Sequence, residues 1–97
     1  MRSLELNPSL EFLAKKYVWW ESPQWACQNP KVFLGNVMNL GSWEDMCKIR
    51  ELIGNETLRL VLTEDPPVGL FSIRSWDYWH VILEIDPIPP LPKRKFL

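Results

Sequence analysis

Asn29-Pro30-Lys31-Val32-Phe33-Leu34-Gly35-Asn36-Val37-Met38-Asn39-Leu40-Gly41-Ser42-Trp43-Glu44-Asp45 writes a helix start, a stop and a second start in one short run. An Asn at the N-cap accepts hydrogen bonds from the first free N–H groups, and a following proline has no N–H to leave unpaired. Phe33, Leu34, Val37 and Met38 recur at the spacing of one buried helical face. The pattern predicts a helix from Pro30 to about Asn39, ended at Gly41 by a left-handed cap. Gly35 lies inside it at some cost in helix propensity, which close packing would explain. Ser42-Trp43-Glu44-Asp45 then opens another helix with a capping-box pattern, its two acids placed where the helix dipole favours them.

The cap-then-proline pair recurs upstream at Asn7-Pro8 and Ser22-Pro23. The first predicts a helix from Pro8 to about Tyr17, with Leu10, Leu13, Ala14 and Tyr17 on one stripe and Glu11 four residues before Lys15 on the other. Val18-Trp19-Trp20 reads as an apolar connector, and Ser22-Pro23 starts a short helical turn that holds Trp25 and Cys27. Downstream, Trp43, Met46, Cys47, Ile49, Leu52 and Ile53 form a wide apolar stripe that Gly54 closes. Asn55 is expected to cap a further helix in which Leu58, Val61 and Leu62 point inward, and Asp65-Pro66-Pro67-Val68-Gly69 breaks the chain. Ser72 to Ile85 fits a helix through Trp76, Trp79, His80 and Leu83, although Tyr78 to Ile85 has the composition of a strand. Helix is preferred, because a single strand would have nothing to pair with. Four prolines between Pro87 and Pro92 then favour an extended segment, followed by Lys93-Arg94-Lys95. The expected architecture is all-α: a compact bundle of about five short helices over residues 1–85, and a proline-rich, basic, extended tail over 86–97.

The totals bound the function. The chain has 97 residues, 46% of them hydrophobic and 24% charged, which suits one folded domain. A formal net charge of −1 argues against broad electrostatic capture of nucleic acid. There is no signal-peptide pattern and no apolar run long enough to span a membrane, so a cytoplasmic protein is expected. Cys27 and Cys47 lack metal or redox spacing and are expected to be reduced core thiols. The outlying number is six tryptophans, which either fill a small core or anchor an interface. Trp43 and Trp79 are assigned to the core. Trp19, Trp20 and Trp25, on connectors, are assigned to partner binding.

Catalytic chemistry has little to stand on. His80, the single histidine, falls on the inner stripe of its helix, and the paired acids Glu44-Asp45 and Glu64-Asp65 are explained by a helix start and a turn. No nucleophilic triad, phosphate loop, metal-ligand spacing or cofactor motif is legible, so the protein is not expected to be an enzyme. Ser42–Ile53, a turn, and Glu56–Leu62 have the lengths of a helix-turn-helix, but the second helix opens on Glu56 and Thr57 with only Arg59 basic. Pro89-x-x-Pro92-x-Arg94 has the form of a polyproline ligand, with Lys93, Arg94 and Lys95 as charges for an acidic partner surface. The same segment could instead lie along its own domain.

The block from Asn29 to Asp45 resembles small uncharacterised bacterial proteins commonly encoded beside a nucleotidyltransferase of the AbiEii toxin type. So do Asp65-Pro66-Pro67-Val68-Gly69-Leu70-Phe71, Arg74-Ser75-Trp76-Asp77-Tyr78-Trp79-His80 and Pro89-Pro90-Leu91-Pro92-Lys93-Arg94. The resemblance covers most of the chain from Trp25 to Arg94 and implies a toxin–antitoxin module in which this chain is the antitoxin. The expected role is thus an inhibitory protein partner of the nucleotidyltransferase, with a helix-turn-helix DNA-binding regulator as the alternative. A homodimer would be an ordinary way to cover a Trp-rich surface.

Overall fold

The computed structural model describes residues 1–64 and 66–92. These residues form six α-helices and no strand: α1 (Pro8–Tyr17), α2 (Pro23–Gln28), α3 (Pro30–Leu40), α4 (Trp43–Ile53), α5 (Asn55–Thr63) and α6 (Ile73–Ile82). The short turn after Ser22 is a full helix of its own, and the aromatic stretch after Ser72 is helical. None of the helices is long and apolar enough to cross a membrane among the described residues.

Local chemistry explains most of the boundaries. Asn7, Ser22, Ser42 and Ser72 each accept a backbone N–H of the first turn through the side chain. Three expected caps behave differently. Asn29 makes no N-cap bond to α3; it also ends α2, and its side-chain amide donates back to the Trp25 carbonyl at 2.9 Å. Asn55 is not a cap either: Gly54 occupies that position, and Asn55 Oδ1 accepts from Arg50 Nε at 3.3 Å. Gly41 is extended, at φ −64 and ψ 146, not left-handed. With Ser42 already capping α4, the chain has no room to reverse there. The glycine is needed for closeness: an added Cβ would lie 2.4 Å from the Val37 carbonyl oxygen. Gly54 does use the left-handed region, at φ 94, and is the whole link between α4 and α5.

α3 is the centre. It packs against all five other helices and buries Pro30, Phe33, Leu34, Gly35, Asn36, Val37 and Met38. A helix apolar on every side belongs inside, and its one buried amide, Asn36, is satisfied by donating to the Val32 carbonyl. Gly35 makes room for a neighbour, since a Cβ there would sit 2.3 Å from Leu70 Cδ2. Trp76 and Trp79 of α6 are fully buried against this core. Each indole N–H finds a carbonyl at 2.8 Å: Trp79 donates to Met38, and Trp76 donates to Pro89.

α4 lies at the rim, and its apolar stripe is wider than the face it buries. Only Asp45 and Ile49 are buried. Trp43, assigned to the core from sequence, is 69% exposed, and Leu52 is 41% exposed. Cys47 is exposed as well, while Cys27 is buried as expected; burial pushes the Cys27 thiol up from its ordinary value.

The polar tie between α1 and α4 is Asp45. Its carboxylate accepts from Lys16 Nζ at 2.8 Å and from the Tyr17 hydroxyl, and the Ser42 N–H donates to that same hydroxyl at 3.3 Å. The capping box is therefore half made: Ser42 caps, but the acid three residues on faces α1 and not the Ser42 N–H. The Lys16 ammonium, then the Tyr17 hydroxyl, hold the Asp45 carboxyl below its usual value, and the same bond raises Lys16. A depressed carboxylate stabilises the fold above its unfolded-state value, about 3.9, and loses that contribution as pH falls through the folded value. Asp45→Asn is expected to cost about 1–2 kcal/mol at neutral pH. In urea unfolding followed by circular dichroism, the gap to wild type should close as the pH is lowered past the ordinary aspartate range.

Candidate functional site

The surface carries two clusters of exposed aromatic side chains, and no group of three or more His, Cys, Asp or Glu side chains that could share a metal ion among the described residues. The first cluster is built on the end of α1. Trp19 and Trp20 follow the helix directly; the buried Val18 pins the turn, so the two indoles are pushed outward. They are 75% and 51% exposed and meet edge to face with ring centroids 5.6 Å apart. Phe12, 54% exposed, is a third aromatic left in water, on α1 itself. Lys48 of α4 lies 5.4 Å from the Phe12 ring centre. Two of the cations around this patch are matched by acids, Lys15 by Glu11 at 2.9 Å and Lys16 by Asp45. What the patch offers a ligand is mainly apolar area, with Lys48 left beside it and the other two cations matched.

The second cluster lies beyond α4. By helical rotation Trp43 sits well over 90° around the helix axis from both Asp45 and Lys48, the residues that face α1. With Met46 it meets Arg74, Ser75 and Tyr78 of α6 around a mostly apolar cleft of about 310 Å³. The cleft exists because α3 ends between these helices: Ser72 N–H donates to Asn39 Oδ1 at 3.0 Å, and Ser75 Oγ donates to the Asn39 carbonyl. Sequence reasoning missed this site. The signal was present in the apolar residues left over on the outer side of α6, Ile73, Tyr78 and Val81, which no inward stripe absorbs.

The remaining expected site residues fall as follows. Trp25 is on α2, half-buried and packed on the core. Pro89 and Pro92 lie against their own domain: the Pro89 carbonyl takes the Trp76 indole N–H, Leu91 packs on the core, and Pro92 shares a cleft with Leu62 and Trp76. Lys93, Arg94 and Lys95 lie outside the described residues. His80 has no exposed surface. Its Nδ1 is 2.7 Å from the Trp76 carbonyl, its ring lies tilted against Trp76 with centroids 4.3 Å apart, and Nε2 is buried without a partner. The Trp76 carbonyl can only accept, so Nδ1 carries the proton of that contact, and Nε2 is left without a hydrogen bond in the core. Arg59, the basic residue of α5, is turned inward, with Nε donating to the Leu83 carbonyl at 2.8 Å. The exposed side of α5 thus offers a duplex no cation of its own to set against phosphate.

Compared with models of known protein families, with curated proteins and with solved structures, the chain matches none.

The six tryptophans divide into an exposed set (Trp19, Trp20, Trp43), a half-buried one (Trp25) and a buried pair (Trp76, Trp79). Replacing the exposed three by Phe should shift the emission maximum to shorter wavelength and remove most acrylamide quenching. The unfolding free energy should stay within about 0.5 kcal/mol of wild type, since these side chains carry little packing.

Proposed function

We propose that this chain is a non-catalytic protein-binding module, and that its partner is the nucleotidyltransferase implied by its resemblance to antitoxin-like bacterial proteins. The observation that carries this reading is the Trp19–Trp20 pair. Two adjacent indoles held mostly in water by a rigid helix end give up burial worth about 1.5–3 kcal/mol each, which a docked partner recovers. Their edge-to-face contact already restrains the two rings, so less side-chain freedom is left to lose on docking. The matched charges around them suit an apolar patch on a protein better than a polyanion.

Inhibition on this reading is steric. The aromatic face grips the toxin's surface, and Lys93, Arg94 and Lys95 are the natural candidates to enter a cleft whose acids otherwise hold metal ions and nucleotide phosphate. The helix-turn-helix alternative finds less support, because α5 spends Arg59 inside the protein.

The test is co-expression and affinity pull-down with the product of the gene adjacent to its own. Wild type should form a complex and relieve growth arrest. Trp19→Ala with Trp20→Ala should weaken the complex at least about a hundredfold, two hot-spot side chains at roughly 2 kcal/mol each. Neutralising Lys93, Arg94 and Lys95 together should leave binding largely intact and reduce protection. Wild type that neither binds nor protects would remove the proposal.

A further inference from the structure

We infer that the second aromatic face is a twofold interface between two copies of this chain, made by α6 packing antiparallel on α6 of the other copy. The outer face of α6 carries Ile73, Arg74, Asp77, Tyr78 and Val81, all exposed, with Ile73 and Val81 65% and 67% so. Arg74 and Asp77 are opposite charges one turn apart, yet they make no ion pair with each other or with any other described residue. On a surface helix such a pair would add little to stability. Framed by exposed Ile, Val, Tyr and Trp, the two charges are placed as an interface would place them.

Twofold symmetry makes the pattern self-complementary. In an antiparallel pair of α6 helices whose dyad passes between Ser75 and Trp76, Arg74 of one copy faces Asp77 of the other, and the reverse pair follows by symmetry. The same register sets Ile73 opposite Tyr78, at the cleft that Trp43, Met46, Arg74 and Ser75 complete. One registration therefore matches both charges and fills the cleft with an aliphatic side chain. A nucleic acid is the poorer occupant: Glu44 and Asp77 flank the two aromatic walls and oppose a phosphate backbone. The inference does not rest on the proposed toxin partner, whose patch lies on the far side of α4.

Charge reversal on the full chain tests it, read by sedimentation equilibrium with circular dichroism as the folding control. Wild type should be a dimer. Arg74→Asp alone, or Asp77→Arg alone, sets like charges together twice per interface and should raise the dimer dissociation constant by at least about tenfold. Mixing the two single variants should restore dimers in heteromeric form, because each supplies the sign the other lacks, and the double variant should self-associate like wild type. A monomeric wild type would overturn the inference. So would a dimer indifferent to either reversal, or two reversals that each weaken it without rescuing one another.

Discussion

The whole architecture depends on α3 being buried without a break from Phe33 to Met38. Consecutive residues point in every direction around a helix, so that stretch is stable only if it is covered on all sides. A chain of this length does so by spending all its other helices on the task, and all five touch α3. Close approach then becomes obligatory where elements converge. Gly35, with the Leu70 side chain over it, is a glycine for this reason, whereas Gly41 answers to its own helix, where a Cβ would meet the Val37 carbonyl. The cost falls on α1, α4, α5 and α6, which leave Phe12, Trp43, Leu52, Leu60, Ile73 and Val81 in water.

That division explains how much of the molecule could be read beforehand. Helix starts were legible because caps and N1 prolines act over three residues and need no tertiary context. α1 begins and ends where the Asn7-Pro8 pair and the Leu10–Tyr17 stripe place it. Cap chemistry failed where one residue had to serve two helices, as at Asn29, or where a glycine took the turn, as at Gly54 beside Asn55. Burial was less legible. The stripe on α4 counts Trp43, Cys47 and Leu52 as inward, but periodicity reports only that residues share a side, not how much of that side a neighbour covers.

Long-range polar contacts were beyond local reasoning altogether. Asp45 reads as an acid for the helix dipole, and only the packing of α1 on α4 makes it an acceptor for Lys16 and Tyr17. The candidate sites follow the same rule. Trp19 and Trp20 were recognisable as surface residues because a connector leaves them no helix face to hide in. The cleft beside Trp43 joins α4 to α6, and the leftover apolar residues of α6 say that a face is unpartnered without saying which helix stands next to it. His80 was placed correctly on the inner stripe, while its orphaned Nε2 is a matter of tertiary packing that the stripe does not report.

The bond from the Trp76 indole to the Pro89 carbonyl, with Leu91 packed on the core, makes the proline segment part of the domain it follows. The segment adds no helix, yet it satisfies the polar end of a buried indole that would otherwise keep an unpaired N–H. The prolines act less as a leash than as a plug: cutting the chain before Pro89 would uncover a buried donor as well as remove a stretch of surface.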